Sequence, residues 1–168
     1  AGEAEGIHNL YGRSRYYVDS KADSIAFKGE LDQADGFVHI ATHASRSSEN
    51  PLFSRLVLAD GPFFPFDLFS GGIRAELVTL SGCQTAATGL YYGNSFSLAK
   101  AFYQAGSRYV LASLWPVSDS VSMSFMVAFY GALKKTNDVS RAYRTAMNST
   151  TESVGEPALW GAFVLLGL

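Results

Sequence analysis

Short apolar runs alternate along the chain with stretches that have the periodicity of amphipathic helices. Residues 36–41 and Leu77–Leu80 are mostly apolar runs that stop abruptly at small or polar residues. Runs of this kind are typical of strands buried on both faces of a sheet. Residues 52–58, 108–115 and 160–166 predict further strands.

Three stretches predict helices between or after these strands. Apolar residues recur at helical spacing over 96–103 and over 123–133, and Asp138 is expected to cap a third helix that runs to about residue 148. Residues 1–9 are small and polar, and we expect them to form a loose end. Strands that alternate with helices predict one α/β domain with a mostly parallel sheet covered on both faces.

Composition and charge exclude several classes of function. The 168 residues are 48% hydrophobic and 17% charged, the net charge is −2, and Lys and Arg are scattered, so we expect no nucleic-acid partner. No apolar run approaches the length of a membrane span. The one cysteine excludes an internal disulfide and fits a reducing, cytoplasmic location. Three histidines and one cysteine at these spacings predict no metal site and no cofactor.

Two of the predicted strands end in residues that can carry out chemistry. Residues 36–41 lead to His43, and Leu77–Leu80 leads to Cys83. Ligands in open α/β sheets bind just beyond the carboxyl ends of the strands. An imidazole beside a thiol activates it as a nucleophile toward carbonyl groups, and backbone N–H groups of Ala44 and Cys83 are candidate donors to the oxyanion.

Each of these residues also has a structural interpretation. A lone cysteine after a strand is often an inert core residue, and a lone histidine is often a buried structural one. Separation in sequence does not show whether His43 and Cys83 are adjacent. His39 lies within an apolar run, and we expect it to be structural. Past the predicted strand at 108–115, Ser118 or Asp119 is a plausible cap of the next helix, and Asp119 is alternatively a carboxylate for a cationic substrate side chain.

Four ordered blocks of the sequence together resemble the CHAT domain, from about Gly12 to the C-terminus. The blocks are FVHIATH at 37–43, LSGCQT at 80–85, ASLWPVSD at 112–119 and WGAFVLLG at 160–167. CHAT domains are related to caspases, separase, gingipain and clostripain. The resemblance implies a caspase-like three-layer α/β fold with helices on both faces of a mostly parallel sheet, and a cysteine endopeptidase that cleaves a protein or peptide substrate.

The resemblance also implies roles for individual residues. The family's catalytic histidine falls on His43 and its nucleophile on Cys83, and the N–H groups of Ala44 and Cys83 form the oxyanion hole. The family usually has glycine at the position of Ala44, and a backbone donor survives that difference. In the related separases, an Asp four residues after the strand's Trp lines the pocket for a substrate arginine. That position is Asp119 here, which implies cleavage after a basic residue.

Two further expectations follow from the resemblance. Caspase-like enzymes pair the substrate backbone with the strand that contains the Trp, so Ser113 and Trp115 are expected to contact substrate at an open strand edge. CHAT regions usually extend further on the N-terminal side and often follow tetratricopeptide repeats. We therefore expect a regulatory domain or partner chain, such as these repeats, to cover part of the sheet.

Two alternatives to the peptidase remain open at this point. The chain could be a catalytically dormant caspase-like module that works through partner binding. A weaker alternative is a redox-sensing thiol, in which Cys83 reacts with peroxide without peptide turnover.

Overall fold

The computed structural model describes residues 2–45, 47, 50–82, 85–87, 89–91, 94–154 and 156–167. Its helices are α1 (Gly2–Tyr11), α2 (Ser24–Gln33), α3 (Leu98–Gln104), α4 (Asp119–Thr136), α5 (Val139–Val154) and α6 (Pro157–Trp160). Its strands are β1 (Phe37–Ile40), β2 (Ala44–Ser45), β3 (Arg55–Leu58), β4 (Gly61–Phe63), β5 (Leu77–Leu80), β6 (Gly89–Tyr91), β7 (Asn94–Phe96), β8 (Tyr109–Ser113) and β9 (Phe163–Gly167). Short 3₁₀ helices cover Asp19–Lys21, Pro51–Phe53 and Pro65–Ser70.

The central sheet has the strand order β1–β5–β8–β9. β1, β5 and β8 run parallel, and β9 runs antiparallel to β8. Parallel neighbours need a crossover, which α3 supplies between β5 and β8. The predicted strands at 36–41, 77–80, 108–115 and 160–166 therefore contribute to this sheet, whereas the one at 52–58 contributes β3 to a smaller sheet. The predicted mostly parallel α/β fold is confirmed.

Helices cover both faces of the central sheet. Successive side chains of a strand point to opposite faces, so Val78 packs into one apolar cluster and Leu77 into another. The first cluster includes Leu31 of α2 and Phe102 of α3. The second includes Phe129 of α4, together with residues of α1 and α5. This arrangement gives the three layers that the sequence analysis expects.

Two smaller antiparallel units accompany the central sheet. β2, β3 and β4 form one of them, and β6 and β7 form a hairpin. β2 begins only a few residues after β1 ends, so the chain passes from the central sheet directly into the smaller one. Within the described ranges, no helix is long and apolar enough to cross a membrane.

The expectation of a loose N-terminal end is wrong, because residues 2–11 form α1. Ile7 is buried in the same cluster as α4, and Glu3 pairs with His39 of β1. A helix of this length with two glycines is marginal by itself in water. Contacts with the rest of the fold therefore stabilise it, and the local sequence carries little signal of them.

Candidate active site

The carboxyl ends of β1 and β5 lie side by side, and each strand leads into one member of the predicted dyad. Ile40 and Leu80 are partners in the parallel register. His43 and Cys83 each follow their member of that pair by three positions. Cys83 lies outside the residues that the structure describes, so its surroundings are defined through its neighbours.

Gly82 brings the turns after β1 and β5 into direct contact. A Cβ atom added to Gly82 would lie 2.6 Å from the carbonyl oxygen of Thr42 and 3.5 Å from the Cβ of Ala44. Only glycine allows so close an approach of two backbones. The backbone of the residue before Cys83 therefore lies tightly against Thr42, the residue before His43, and close to Ala44, the residue after it.

Strand β3 holds the segment that carries His43. The N–H of Val57 donates to the carbonyl of His43 at 2.9 Å, and the hydroxyl of Thr42 donates to the carbonyl of Val57. Ala44 pairs with Leu56 at the next position. Because bonded and non-bonded pairs alternate in an antiparallel ladder, the N–H of Ala44 points away from β3. His43 is exposed to solvent.

Thr85 and Ser113 fix the turn after β5. The hydroxyl of Thr85, which is fully buried, donates to the carbonyl of Leu80 at 3.2 Å. The hydroxyl of Ser113 donates to the carbonyl of Gly82 at 2.8 Å, and the N–H of Ser113 donates to the Thr85 hydroxyl at 3.3 Å. Sequence reasoning missed Thr85, although a threonine two residues after the predicted nucleophile was a visible signal.

The expectation that Ser113 offers an open strand edge to substrate is wrong. β8 lies between β5 and β9, and Ser113 pairs with Phe163. Its side chain and backbone are only 6% exposed, and its carbonyl accepts from the N–H of Ala86 at 2.8 Å. The N–H of Ser113 is bonded as well, to Thr85. Ser113 is therefore a buried residue that stabilises the turn before Cys83.

Trp115 and Asp119 follow the carboxyl end of β8, at the same edge of the sheet as His43. Trp115 is 38% exposed, and its indole N–H donates to the carbonyl of Ala158 at 2.7 Å. Ser118 caps α4, since its side chain accepts from the N–H of Val121 at 3.4 Å. Of the two cap candidates in the sequence, Ser118 and Asp119, Ser118 is thus the cap. Asp119 is exposed, and its carboxylate bonds to none of the residues that the structure describes.

A buried polar network lies behind the two strand ends. His39 points into the interior, as predicted, and its side chain is 6% exposed while that of Glu3 is 15% exposed. Nε2 of His39 lies 2.9 Å from a Glu3 oxygen. Ser122 donates to the other Glu3 oxygen at 3.0 Å and lies 3.2 Å from the hydroxyl of Ser81. The network thus connects α1 to Ser81, two positions before Cys83.

Tyr130 completes the network on the other side of the His39 ring. Its hydroxyl donates to Thr79 at 2.8 Å and lies 3.2 Å from Nδ1 of His39. Because Tyr130 has a single proton and gives it to Thr79, Nδ1 of His39 donates to Tyr130. Burial raises the pKa of the Tyr130 hydroxyl well above its usual range, so this group stays protonated. His39 therefore has an acceptor at each ring nitrogen and serves as a structural residue.

The carboxyl of Glu3 stabilises the fold in a pH-dependent way. Burial raises its pKa, but hydrogen bonds with His39, Ser81 and Ser122 and the charge of His39 outweigh burial, so its pKa lies below the ordinary value of 4.5. The folded-state pKa is thus lower than the unfolded one. The stabilisation is complete above the unfolded value and is lost as pH falls through the folded value.

We expect Glu3→Ala to lower the free energy of unfolding by about 3 kcal/mol at pH 7, because it leaves His39 buried without its charged partner. Urea denaturation measures this change. Glu5→Ala, at an exposed position of the same helix, serves as the control and should change stability by less than about 0.5 kcal/mol. The difference in the free energy of unfolding between wild type and Glu3→Ala should become smaller below about pH 4. Equal losses for the two variants would contradict the anchoring role of Glu3.

A metal centre has no support in the described part of the chain. No group of three His, Cys, Asp or Glu side chains is gathered there in a way that could hold a metal ion.

Comparisons with known proteins agree with this geometry. The sequence profile of the CHAT domain matches residues 1–168. Tetratricopeptide repeat protein 28 of Mus musculus is 32% identical over 103 residues, and the Homo sapiens protein is 31% identical over 103 residues. Each match covers 60% of this chain, which spans about 4% of the length of these curated relatives.

A solved structure shows the same fold. The crystal structure of the Arg specific cysteine proteinase gingipain R superposes with a TM-score of 0.66, covering 99% of this chain and 40% of that one. Identity over the match is 11%, so the likeness concerns the fold alone. It confirms the caspase-like architecture that the sequence blocks imply.

Proposed function

This chain belongs to the CHAT domain family, and we propose that it is a cysteine endopeptidase with His43 and Cys83 as its catalytic dyad. The close approach of Gly82 to Thr42 and Ala44 carries the proposal. It joins the immediate neighbours of the two residues at the sheet edge where α/β folds bind ligands. The exposure of His43 leaves its ring accessible to a substrate.

The proposed reaction proceeds through a thioester. His43 takes the thiol proton of Cys83, and the thiolate attacks the carbonyl carbon of the scissile peptide bond. The N–H groups of Ala44 and Cys83 donate to the oxyanion. His43 then gives its proton to the leaving amine as the C–N bond breaks. Water, deprotonated by His43, attacks the thioester, which releases the carboxylic acid and restores the thiol.

The Ala44 donor is supported by the strand pairing around it. Because His43 bonds to Val57, the N–H of Ala44 is directed away from β3. It makes no hydrogen bond to the main chain of other described residues. A backbone donor of this kind is available without any rearrangement, which favours transition-state stabilisation.

Covalent labelling tests the dyad. The probe is a peptide with arginine at the cleavage position and an acyloxymethyl ketone in place of the scissile bond. Because Cys83 is the chain's only cysteine, intact mass reports its modification unambiguously. We expect rapid labelling that falls at least about a hundredfold in His43→Ala. A thiol that reacts equally slowly in both proteins would favour the dormant interaction module.

Asp119 and Trp115 support specificity for a basic residue. Asp119 places an exposed carboxylate just past the carboxyl end of β8, and Trp115 adds a partly exposed indole. A substrate guanidinium can pair with the carboxylate and stack on the ring. Arginine at the cleavage position is therefore the specificity that we assign.

We expect Asp119→Asn to lower kcat/KM about tenfold for an arginine substrate and by less than about twofold for a matched norleucine substrate, because only the first loses a charge pair. Initial rates with fluorogenic peptides measure both values. Glu152→Gln removes a negative charge at an exposed position of α5. This control variant should change kcat/KM for neither substrate. Parallel losses for both substrates would show that Asp119 does not select the basic side chain.

A partner-binding function remains the second candidate. The relatives are tetratricopeptide repeat proteins, and the matched region is a small part of each. If the interaction module is correct, substitution of Cys83 will leave partner binding unchanged, and no peptide turnover will be measurable at any pH.

A further inference from the structure

The carboxylate of Glu3 connects the two strands that lead to the proposed dyad. One of its oxygens lies 2.9 Å from Nε2 of His39 in β1, and the other accepts from the hydroxyl of Ser122 at 3.0 Å. Ser122 lies 3.2 Å from the hydroxyl of Ser81, the first residue after β5. A single side chain of α1 therefore joins β1 to the end of its neighbour β5.

The direction of the hydrogen bonds around this carboxylate follows from the number of protons. A carboxylate only accepts, so Ser122 uses its one hydroxyl proton on Glu3. The hydroxyl of Ser81 therefore donates to Ser122 and is directed toward α4. The N–H of Ser81 donates to the carbonyl of Ile40 at 2.8 Å. Both the side chain and the main chain of Ser81 are thus fixed, two positions before Cys83.

Different parts of the fold hold the two residues that precede Cys83. Ser81 is held by α1 and α4 through the bonds just described, whereas the carbonyl of Gly82 accepts from Ser113 of β8 at 2.8 Å. Catalytic groups need placement to within about 0.5 Å, by neighbours that are themselves fixed. The hydrogen bonds that end at Glu3 meet this requirement on the β5 side of the dyad.

α1 presents Glu3 from a fixed position. At the other end of the helix, the hydroxyl of Tyr11 donates to the carbonyl of Tyr130 at 3.1 Å. The ammonium group of Lys134 donates to the carbonyl of Leu10 at 2.7 Å. Both partners belong to α4, the helix that also carries the hydroxyl next to Glu3. Any displacement of α1 from α4 therefore moves the carboxylate away from both strand ends.

The chemistry of a carboxylate gives it a role that an apolar side chain could not have. Replacing a buried ion pair with apolar residues is often neutral or stabilising, so attachment of α1 alone does not require a charge. Two acceptor oxygens on one rigid group impose positions on two separate donors. A fully satisfied polar network of this kind makes its surroundings rigid and specifies one arrangement of them.

We propose that Glu3 is a positioning residue that fixes the ends of β1 and β5 relative to each other and so holds Cys83 within reach of His43. The inference rests on the proposed peptidase function, because it concerns the same dyad. Asp119 and Trp115, which we assign to substrate binding, take no part in these hydrogen bonds. Loss of Glu3 therefore slows the covalent step without weakening the binding of a substrate.

Labelling kinetics separate these two effects. The arginine acyloxymethyl ketone probe, applied over a range of concentrations, gives a maximal labelling rate and a half-saturating concentration. We expect Glu3→Ala to lower the maximal rate at least about tenfold and to change the half-saturating concentration by less than about twofold. Ser122→Ala, which removes only the connection to Ser81, should lower the maximal rate at least about threefold. The double variant should be no slower than Glu3→Ala, because both residues act through one set of bonds.

Glu3→Gln tests whether hydrogen bonds carry the effect. The glutamine carbonyl can accept from Ser122, and its amide group can donate to Nε2 of a neutral His39 whose Nδ1 still donates to Tyr130. We expect the maximal labelling rate of this variant to stay within about threefold of wild type. A loss as large as that of Glu3→Ala would contradict positioning by these hydrogen bonds and overturn the inference.

Two control variants separate positioning from a general loss of stability. Ser124→Ala removes a hydroxyl at an exposed position of α4, and Leu133→Ala removes a side chain of the same helix that is only 9% exposed. Leu133→Ala should destabilise the fold about as much as Glu3→Ala, and both controls should keep the wild-type labelling rate. Circular dichroism verifies that each variant is folded. If Leu133→Ala labelled as slowly as Glu3→Ala, the positioning role would be refuted.

The same measurements distinguish failure of this inference from failure of the proposed function. If wild type labels rapidly and both Glu3→Ala and Ser122→Ala label at the wild-type rate, the positioning role is overturned and the peptidase proposal remains supported. If Cys83 of the wild-type protein does not react under any condition, the peptidase proposal fails, and the positioning role fails with it.

Discussion

Replacing Cys83 with alanine is expected to abolish peptide turnover, with kcat/KM reduced at least about a thousandfold. The thiolate forms the covalent bond to the substrate carbonyl, and alanine has no nucleophilic atom. Fluorogenic arginine peptides measure the loss. Cys83→Ser should be nearly as inactive, because a serine hydroxyl ionises far less readily than a thiol at neutral pH.

His43→Ala provides the partner experiment for the dyad. Loss of a general base and acid lowers the rate by roughly 10²- to 10⁴-fold. Because the two residues act as a unit, the double variant should be no less active than Cys83→Ala alone. Additive losses, or equal turnover by wild type and Cys83→Ala, would remove the peptidase account.

Gly82→Ala is expected to lower turnover at least about a hundredfold and stability by roughly 1–3 kcal/mol. The new Cβ would lie 2.6 Å from the carbonyl oxygen of Thr42, a backbone atom that cannot rotate away. The turns that carry His43 and Cys83 must therefore separate. Displacement of a catalytic group by about 1 Å can cost this much activity. Steady-state kinetics and urea denaturation give the two values.

Gly131→Ala is the matched control for this change. Gly131 lies within α4, and an added Cβ meets no atom within 4 Å. We expect it to leave turnover unchanged and to stabilise the protein by about 0.5–1 kcal/mol, because alanine favours helix. If Gly82→Ala behaved like Gly131→Ala, the close contact between the two turns would be refuted.

The sequence predicted the central strands because buried parallel strands are nearly continuous apolar runs. This is how β1 and β5 could be recognised, together with the residues that follow them. The sequence did not predict α1, because a short segment with Gly2 and Gly6 has no strong helical signal. The helix is held in place by contacts of Glu3 and Ile7 with the rest of the fold. Tertiary contacts that bind distant parts of the chain are not visible in local patterns.

Strand order was the second feature beyond the reach of sequence periodicity. Residues 160–166 predicted a strand, but not that β9 would pair antiparallel with β8 and leave Ser113 inside the sheet. The contact of Gly82 with Thr42 likewise depends on register between strands about forty residues apart. A glycine in a turn has several explanations, and only the fold shows which backbone approaches it.

The distance between the nearest ring nitrogen of His43 and the Sγ atom of Cys83, measured by crystallography of the unlabelled protein, tests the central claim most directly. We expect the two atoms within about 4 Å, or brought there by a single rotation of the His43 side chain. A sulfur atom enclosed by the apolar core, or an imidazole that no rotamer can bring near it, would contradict the catalytic dyad.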